Sequence, residues 1–186
     1  RRQNKLNEAI KQLASVLSIA QRNSLESDYV KTANLLALAY TFLADFDKAL
    51  ALHFSCLALN DKPGREEDLS ITLNNIGLVY FKLTEIEEAL KYYRQSLDVK
   101  KKHGIVFDLD RLYINMALCY NRLGEFSDAE SVIRESLATC GGNCSQELKL
   151  EAKFALGLSQ FGRGMLTEAE ETLLQSIELS RKVGSL

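Results

Sequence analysis

A spacing constrains the fold of this chain more than anything else in it. Ala9, Ala49, Ala89, Ala129 and Ala169 recur at an interval of 40 residues. Tyr40, Tyr80 and Tyr120 recur at the same interval, with Gln160 as the one lapse. A fixed period of this size marks a repeat architecture, in which each unit buries its apolar face only against its neighbours. Such a stack is built to present a surface.

Around those positions one phrase is repeated. Leu35-Leu36-Ala37-Leu38-Ala39-Tyr40, Asn75-Ile76-Gly77-Leu78-Val79-Tyr80 and Asn115-Met116-Ala117-Leu118-Cys119-Tyr120 are followed in register by Ala155-Leu156-Gly157-Leu158-Ser159-Gln160. Each precedes a short break near Ala44, Thr84, Gly124 or Gly164, and a second segment follows with apolar residues at helical spacing, such as Ile86, Ala89, Leu90, Tyr93 and Leu97. Apolar residues at i, i+3, i+4 and i+7 on both sides of a tight break describe a helical hairpin. Thr84 with Glu87 reads as a capping box opening the second helix. Longer breaks at Asn60–Gly64, Lys101–Gly104 and Cys140–Asn143 separate the hairpins. The pattern predicts nine helices, over 3–22, 28–43, 45–60, 66–83, 85–102, 106–123, 125–140, 145–162 and 166–182, and nothing reads as strand. The first matches the second helix of a repeat whose first helix is absent. The domain reading is therefore one solenoid over 1–186: a half repeat at 1–24, then full repeats at 25–64, 65–104, 105–144 and 145–184.

Composition excludes several classes. With a net charge of −2 and 26% charged residues, the chain lacks the basic balance of a nucleic-acid binder. No apolar run approaches the length that spans a bilayer, so membrane insertion by this region is not expected. The chain opens Arg1-Arg2-Gln3 without Met and reads as a piece of a longer protein, so a missing targeting segment carries no weight. Cytoplasm is favoured as the compartment, with the periplasm left open for a membrane-bound sensor.

Asn75-Ile76-Gly77-Leu78-Val79-Tyr80, followed by Ile86, Ala89 and Tyr93, closely resembles the tetratricopeptide pattern L-G-x-x-Y…A-x-x-x-F/Y. The likeness covers essentially the whole chain. Ala33, Leu73, Tyr113 and Lys153 replace the family's Trp, its Pro after the second helix is missing, and the period is 40 instead of the usual 34. Longer repeats of this kind resemble those of kinesin light chains, Pins-type adaptors and bacterial sensor and regulator proteins. The resemblance implies an all-α, right-handed superhelical solenoid of antiparallel helix pairs, about four and a half repeats long. It also places the small residues at 9, 49, 89, 129 and 169, with Gly77 and Gly157, where the two helices of a hairpin cross.

Chemistry of its own is not expected. His53 and Cys56 lie three apart on one helix, but they align with Tyr93, Ile133 and Leu173, and with Ser96, Ser136 and Ser176. Those are packing positions and positions where small size matters, and no second pair completes a zinc site. His103 sits in a Lys-rich loop and reads as a solvated surface residue. No nucleophile elbow, phosphate loop or paired-His motif is present, so neither an enzyme nor a cofactor or metal is expected. Cys119 aligns with Ala39, Val79 and Ser159 and reads as a small buried residue. Cys140 and Cys144 would pair in an oxidising compartment and stay free thiols in the cytosol.

The resemblance also implies where a partner is held. In the family the first helix of each hairpin lines a concave groove that binds extended peptides. By register the candidate groove residues are Lys31, Asn34, Asn74, Asn75, Phe81, Lys82, Arg111, Asn115, Arg122, Phe154 and Phe161, with Leu38, Thr41, Ile71, Leu78, Ile114, Leu118, Glu151 and Leu158 also inward. Asn side chains can pair with peptide N–H and C=O groups, and the Lys and Arg residues suit an acidic segment or a terminal carboxylate. Asn75 and Arg111 fit the family's chaperone-tail clamp, whereas Asn34, Leu38 and Asn115 depart from it. The function expected is thus a protein or peptide interaction module. The alternative is the sensory region of a bacterial signalling protein, a histidine kinase or transcriptional regulator. Leu173, Leu174 and Ile177 on the last helix leave an apolar face that invites self-association through the ends.

Overall fold

The computed structural model describes residues 2–139 and 144–184, with side chains from Leu6 onward. The described residues form nine α-helices and no strand: α1 (Arg2–Arg22), α2 (Glu26–Phe42), α3 (Phe46–Asn60), α4 (Glu66–Lys82), α5 (Ile86–His103), α6 (Leu109–Leu123), α7 (Phe126–Thr139), α8 (Gln146–Gly162) and α9 (Leu166–Gly184). The expected all-α hairpin repeat is what the chain adopts. It divides into two compact units, Arg1–His103 and Gly104–Leu186. In the first, α1, α2, α3, α4 and α5 pack each on the next, and α2 also packs on α4. In the second, α6 to α9 pack likewise in sequence, and α6 also packs on α8.

The turns explain the period. Left-handed backbone occurs at Ser24, Ala44, Gly64, Thr84, Gly104, Gly124 and Gly164, spaced by twenty or forty residues. At each hairpin tip this residue closes a Schellman motif. The Asp45, Glu85, Glu125 and Met165 N–H groups donate to the carbonyls of Tyr40, Tyr80, Tyr120 and Gln160 at 2.9, 3.0, 2.9 and 2.9 Å. The carbonyls of those same four donors then accept from Ala49, Ala89, Ala129 and Ala169, at 2.9–3.1 Å. Two hydrogen bonds thus join the recurring Tyr position to the recurring Ala position, across a turn that tolerates no insertion. Thr84 is part of this turn, with φ of 63°. It lies one residue past the C-cap Leu83 of α4, so it does not cap α5, and the expected capping box does not form. The left-handed conformation ends one helix, leaving Glu85 to begin the next. Likewise α6 starts at Leu109 instead of 106, because Asp108 is left-handed with φ of 51°.

Small residues sit where helices cross. Ala49, Ala89 and Ala129 are completely buried. A Cβ on Gly77 would lie 2.7 Å from the Tyr93 ring and 3.1 Å from the Ala89 carbonyl, and one on Gly157 would lie 2.7 Å from Leu173. Complete burial of a side chain such as Ile76 is worth about 1.5–3 kcal/mol, and overfilling such a contact costs about 1–3 kcal/mol. The positions equivalent to Cys56 do more than stay small. Ser96 Oγ donates to the Ser70 carbonyl at 2.7 Å and Ser136 Oγ to the Asp110 carbonyl at 2.8 Å, tying each second helix to its first. Cys56 Sγ makes the same contact to Val30 at 3.7 Å.

Candidate functional site

In each unit the first helices of the hairpins leave one stripe open. On α2 it runs Lys31, Leu35, Leu38, Phe42, and on α4 Ile71, Asn75, Leu78, Lys82, all exposed or half-buried. Steps of four, three and four residues keep such a stripe on one side of a helix. Because α2 packs on α4, the two stripes belong to one surface of the first unit. In the second unit, α6 carries Arg111, Asn115, Leu118 and Arg122, and α8 carries Glu151, Phe154, Leu158 and Phe161. Leu35 is 57% exposed, Phe42 73%, Phe154 46% and Phe161 63%, unusually high for large apolar side chains. Isolated exposed apolar residues need no explanation, but a contiguous set does.

Of the residues expected to line a groove, Lys31, Lys82, Arg111, Arg122, Phe154 and Phe161 are exposed, and Asn74, Asn75, Phe81 and Asn115 are half-buried. Asn74, Phe81, Asn115 and Arg122 also take part in interactions within the protein. Asn34 has turned inward. It is 9% exposed, its Nδ2 donates to Thr72 Oγ1 at 3.1 Å, and its Oδ1 stands 2.9 Å from His53 Nδ1. Thr41 and Ile114 are buried too, Thr41 donating to the Ala37 carbonyl at 2.9 Å. Sequence reasoning passed over Leu35 and Phe42. Ala33, Leu36 and Ala37 already fill the buried side of α2, so the surplus apolar residues at 35, 38 and 42 were the available signal.

His53 belongs to a buried network. Asn34 Oδ1 can only accept, so His53 carries its proton on Nδ1. Asn60 Nδ2 donates to the same Thr72 hydroxyl at 3.1 Å. Nε2 of His53 and Oδ1 of Asn60 are buried with no hydrogen-bond partner. Burial lowers the His53 pKa to about 4, since a proton on Nε2 would place a charge where nothing receives it. Burial likewise pushes the Cys56 thiol up to about 11 and Cys119 up to about 12, which leaves both poor nucleophiles. Among the described residues no three His, Cys, Asp or Glu side chains gather as metal ligands. Cys144 is disulfide-bonded, while Cys140, its expected partner, lies outside the described residues. No helix of the described residues is long and apolar enough to cross a membrane.

Electrostatics differ along the second unit's stripe. At its start Glu147 is held below the ordinary carboxylate range, first by its own backbone N–H and Ser145, and in smaller part by Arg111. Further along, Arg122 follows Leu118 on the α6 stripe, and Leu158 and Phe161 end the α8 stripe.

Comparison with known proteins agrees with this architecture. The tetratricopeptide repeat family matches residues 34–102. No curated protein matches the sequence. Among solved structures, a kinesin-light-chain-type protein of Podosopora anserina with nearly identical TPR-like repeats is 18% identical, with a TM-score of 0.73 over 100% of this chain and 91% of that one. The apo form of RapI is 15% identical, with a TM-score of 0.78 over 97% of this chain and 50% of that one. A Rap protein complexed with Competence and Sporulation Factor is 14% identical, with a TM-score of 0.72 over 95% of this chain and 54% of that one. The chain thus spans about half the length of these Rap proteins. Its fold is that of tetratricopeptide repeats along its length, and its sequence matches the family over residues 34–102.

Proposed function

We propose that the chain is an interaction module that holds a peptide or protein segment on its first-helix stripes. The observation that carries this reading is the exposure of Leu35, Phe42, Phe154 and Phe161 beside Lys31, Lys82, Arg111 and Arg122. Apolar anchors with flanking positive charge suit a segment that carries large apolar side chains and carboxylates. Asn75 and Asn115 add carboxamides able to meet peptide N–H and C=O groups. Catalysis forms no part of the reading, because the buried thiols and His53 lack both access and a partner to activate them.

Peptides selected from a random library displayed on phage, with this chain as bait, test the proposal. Phe154→Ser with Phe161→Ser, or Arg111→Ala, should weaken selected peptides by about tenfold, since a charge-assisted bond is worth about 1.5–3 kcal/mol. Melting temperature should barely change, because these side chains face outward. Selected peptides that bind every stripe variant as tightly as the parent would overturn it.

The Rap protein complexed with Competence and Sporulation Factor shares this fold, which favours a second reading as the sensory region of a signalling protein. That reading requires ligand to change the arrangement of the helices, so small-angle scattering that is identical with and without a selected peptide would exclude it. Self-association belongs to the same proposal. Leu174 and Ile177 are exposed on α9 beside a cavity of about 390 Å³ that Phe161 and Leu166 also line. Sedimentation velocity should show concentration-dependent association that Leu174→Lys reduces. Identical profiles for parent and variant would refute it.

A further inference from the structure

The first unit carries a second cleft, on the side of its hairpins away from the stripes. The backbones of α3 and α5 do not come into contact, and Phe54 reaches across between them to an edge-on contact with Tyr92, centroids 6.4 Å apart. The gap behind is a cavity of about 590 Å³, with Leu69 and Leu73 of α4 among its lining and Leu57 and Val99 from the flanking helices. On α4, positions 69 and 73 lie about 200° around the helix from 71 and 75, so this cleft and the stripe occupy opposite sides. Asp61 and Asp98 line it as well. Both are exposed, and neither makes an ion pair or side-chain hydrogen bond among the described residues.

The apolar floor of this cleft is not a necessary product of the repeat. In the second unit the residue equivalent to Leu73 is Lys153, whose Nζ donates to Gln175 Oε1 of α9 at 2.6 Å, so a charged, hydrogen-bonded side chain stands where the first unit has an apolar one. One repeat earlier in the first unit, the corresponding cleft beside α2 measures about 400 Å³ but has Gln21, Tyr29 and Ser55 among its lining. There Tyr29 and Ser55 hydroxyls bond each other at 3.1 Å, and its one carboxylate, Glu26, is occupied by Lys62 and Arg65 at 3.1 Å each. The α3–α5 cleft therefore combines an apolar floor with two carboxylates that have no cation.

We infer that the cleft between α3 and α5 is a docking site for a basic peptide segment, with one large apolar side chain seated on Leu69 and Leu73 and flanking Lys or Arg residues beside Asp61 and Asp98. A cavity of this size is in the range of specific binding sites. Its charge preference is opposite to that of the stripes, so one chain can hold two dissimilar partners at once. The site stands apart from the reading proposed above, and either can fail without the other.

The test is an NMR titration of the isotopically labelled chain with the hexapeptide Lys-Lys-Leu-Phe-Lys-Lys, and with Glu-Glu-Leu-Phe-Glu-Glu as its charge-reversed counterpart. The basic peptide should move the amide signals of Asp61, Leu69, Gln95 and Asp98 saturably and leave those around Gln21 and Ser55 in place. Asp61→Asn combined with Asp98→Asn, both at exposed positions, should raise the dissociation constant at least fivefold and remove most of its salt dependence. The acidic peptide should bind at least fivefold more weakly than the basic one. No shift at millimolar basic peptide, shifts confined to Leu35, Leu38 and Phe42, or unchanged affinity in the double variant would each overturn the inference.

Discussion

The two units solve the same packing problem with different side chains. Each must hold two first helices against each other, and each does so with an Asn that reaches a hydroxyl 38 residues on. In the second unit Asn121 completes its bonds, donating to the Ala155 carbonyl at 2.8 Å and accepting from Ser159 Oγ at 2.7 Å. In the first unit Asn34 must share Thr72 with Asn60 and also satisfy His53, and two buried polar atoms end without partners. The hairpin tips differ in the same direction. Gly124 and Gly164 take the left-handed turns of the second unit, whereas Ala44 and Thr84 take them in the first. A shared backbone geometry can thus be reached with or without local strain. The first unit keeps its fold while carrying two unpaired atoms in one network, non-glycine hairpin tips and an open cleft, whereas the second has single counterparts in the buried Gln160 Oε1 and the left-handed Asp108.

The largest expected separation between the units is in acid. His53 has a folded pKa of about 4 against an ordinary 6.5. Above pH 6.5 the ring is neutral in both folded and unfolded chains and stability is at its full value. Between pH 6.5 and about 4 the unfolded chain binds a proton that the folded one refuses, so stability falls with pH, by about 3 kcal/mol in all. Hydrogen exchange should show α3 and α4 losing protection over this window by more than α6 and α8. His53→Leu, whatever its baseline, should flatten the difference. Equal acid sensitivity of the two units in the parent would mean that the folded chain accommodates the imidazolium.

Asn34→Ala should cost about 2–3 kcal/mol, because it leaves the His53 Nδ1–H buried and unpaired. Asn121→Ala should cost about 1 kcal/mol, since Ser159 Oγ also reaches the Ala155 carbonyl at 3.1 Å. Equal losses in urea denaturation would count against the crowded network of the first unit. The turns invert the comparison. Thr84→Gly should stabilise by about 1 kcal/mol, and Gly124→Thr should destabilise by about 1–2 kcal/mol, because a Cβ in left-handed backbone meets its own carbonyl. A loss on Thr84→Gly would show that the threonine side chain makes up for its backbone.

The smallest expected effect tests the tie between the helices of a hairpin. Ser136→Ala should lose about 0.5–1 kcal/mol with its hydrogen bond to Asp110, while Cys56→Ser should be neutral or slightly stabilising, since a hydroxyl donates better than a thiol. A Cys56→Ser variant less stable than the parent by thermal melting would show that the site values the size of sulfur above its donor.

Much of this was legible in the chain. The period of 40, the helix count and the crossing positions at Ala49, Ala89 and Ala129 follow from steric rules that act within one repeat, and a sequence displays such rules directly. The candidate site was half legible. Lys82, Arg111, Phe154 and Phe161 are exposed, but Asn34 is spent inside the core, and Leu35 and Phe42 are open as well. A polar residue on a helix announces its chemistry but not its neighbours, and Asn34 lost its place on the surface to residues 19 and 38 positions away.

What the sequence determined by itself is the rhythm of the backbone: how many helices there are, about where each hairpin turns, and which residue must be small. These are local matters, settled within about ten residues by sterics and main-chain pairing. Only the tertiary structure decided which polar groups are left over, whether a gap such as that between α3 and α5 stays open, and which apolar side chains meet water. Those outcomes depend on the joint filling of space by helices from different repeats. The apolar cleft over Leu73 and the hydrogen bond of Lys153 to Gln175 arise at equivalent positions of the repeat, set apart by the side chain at that position and by what lies across from it.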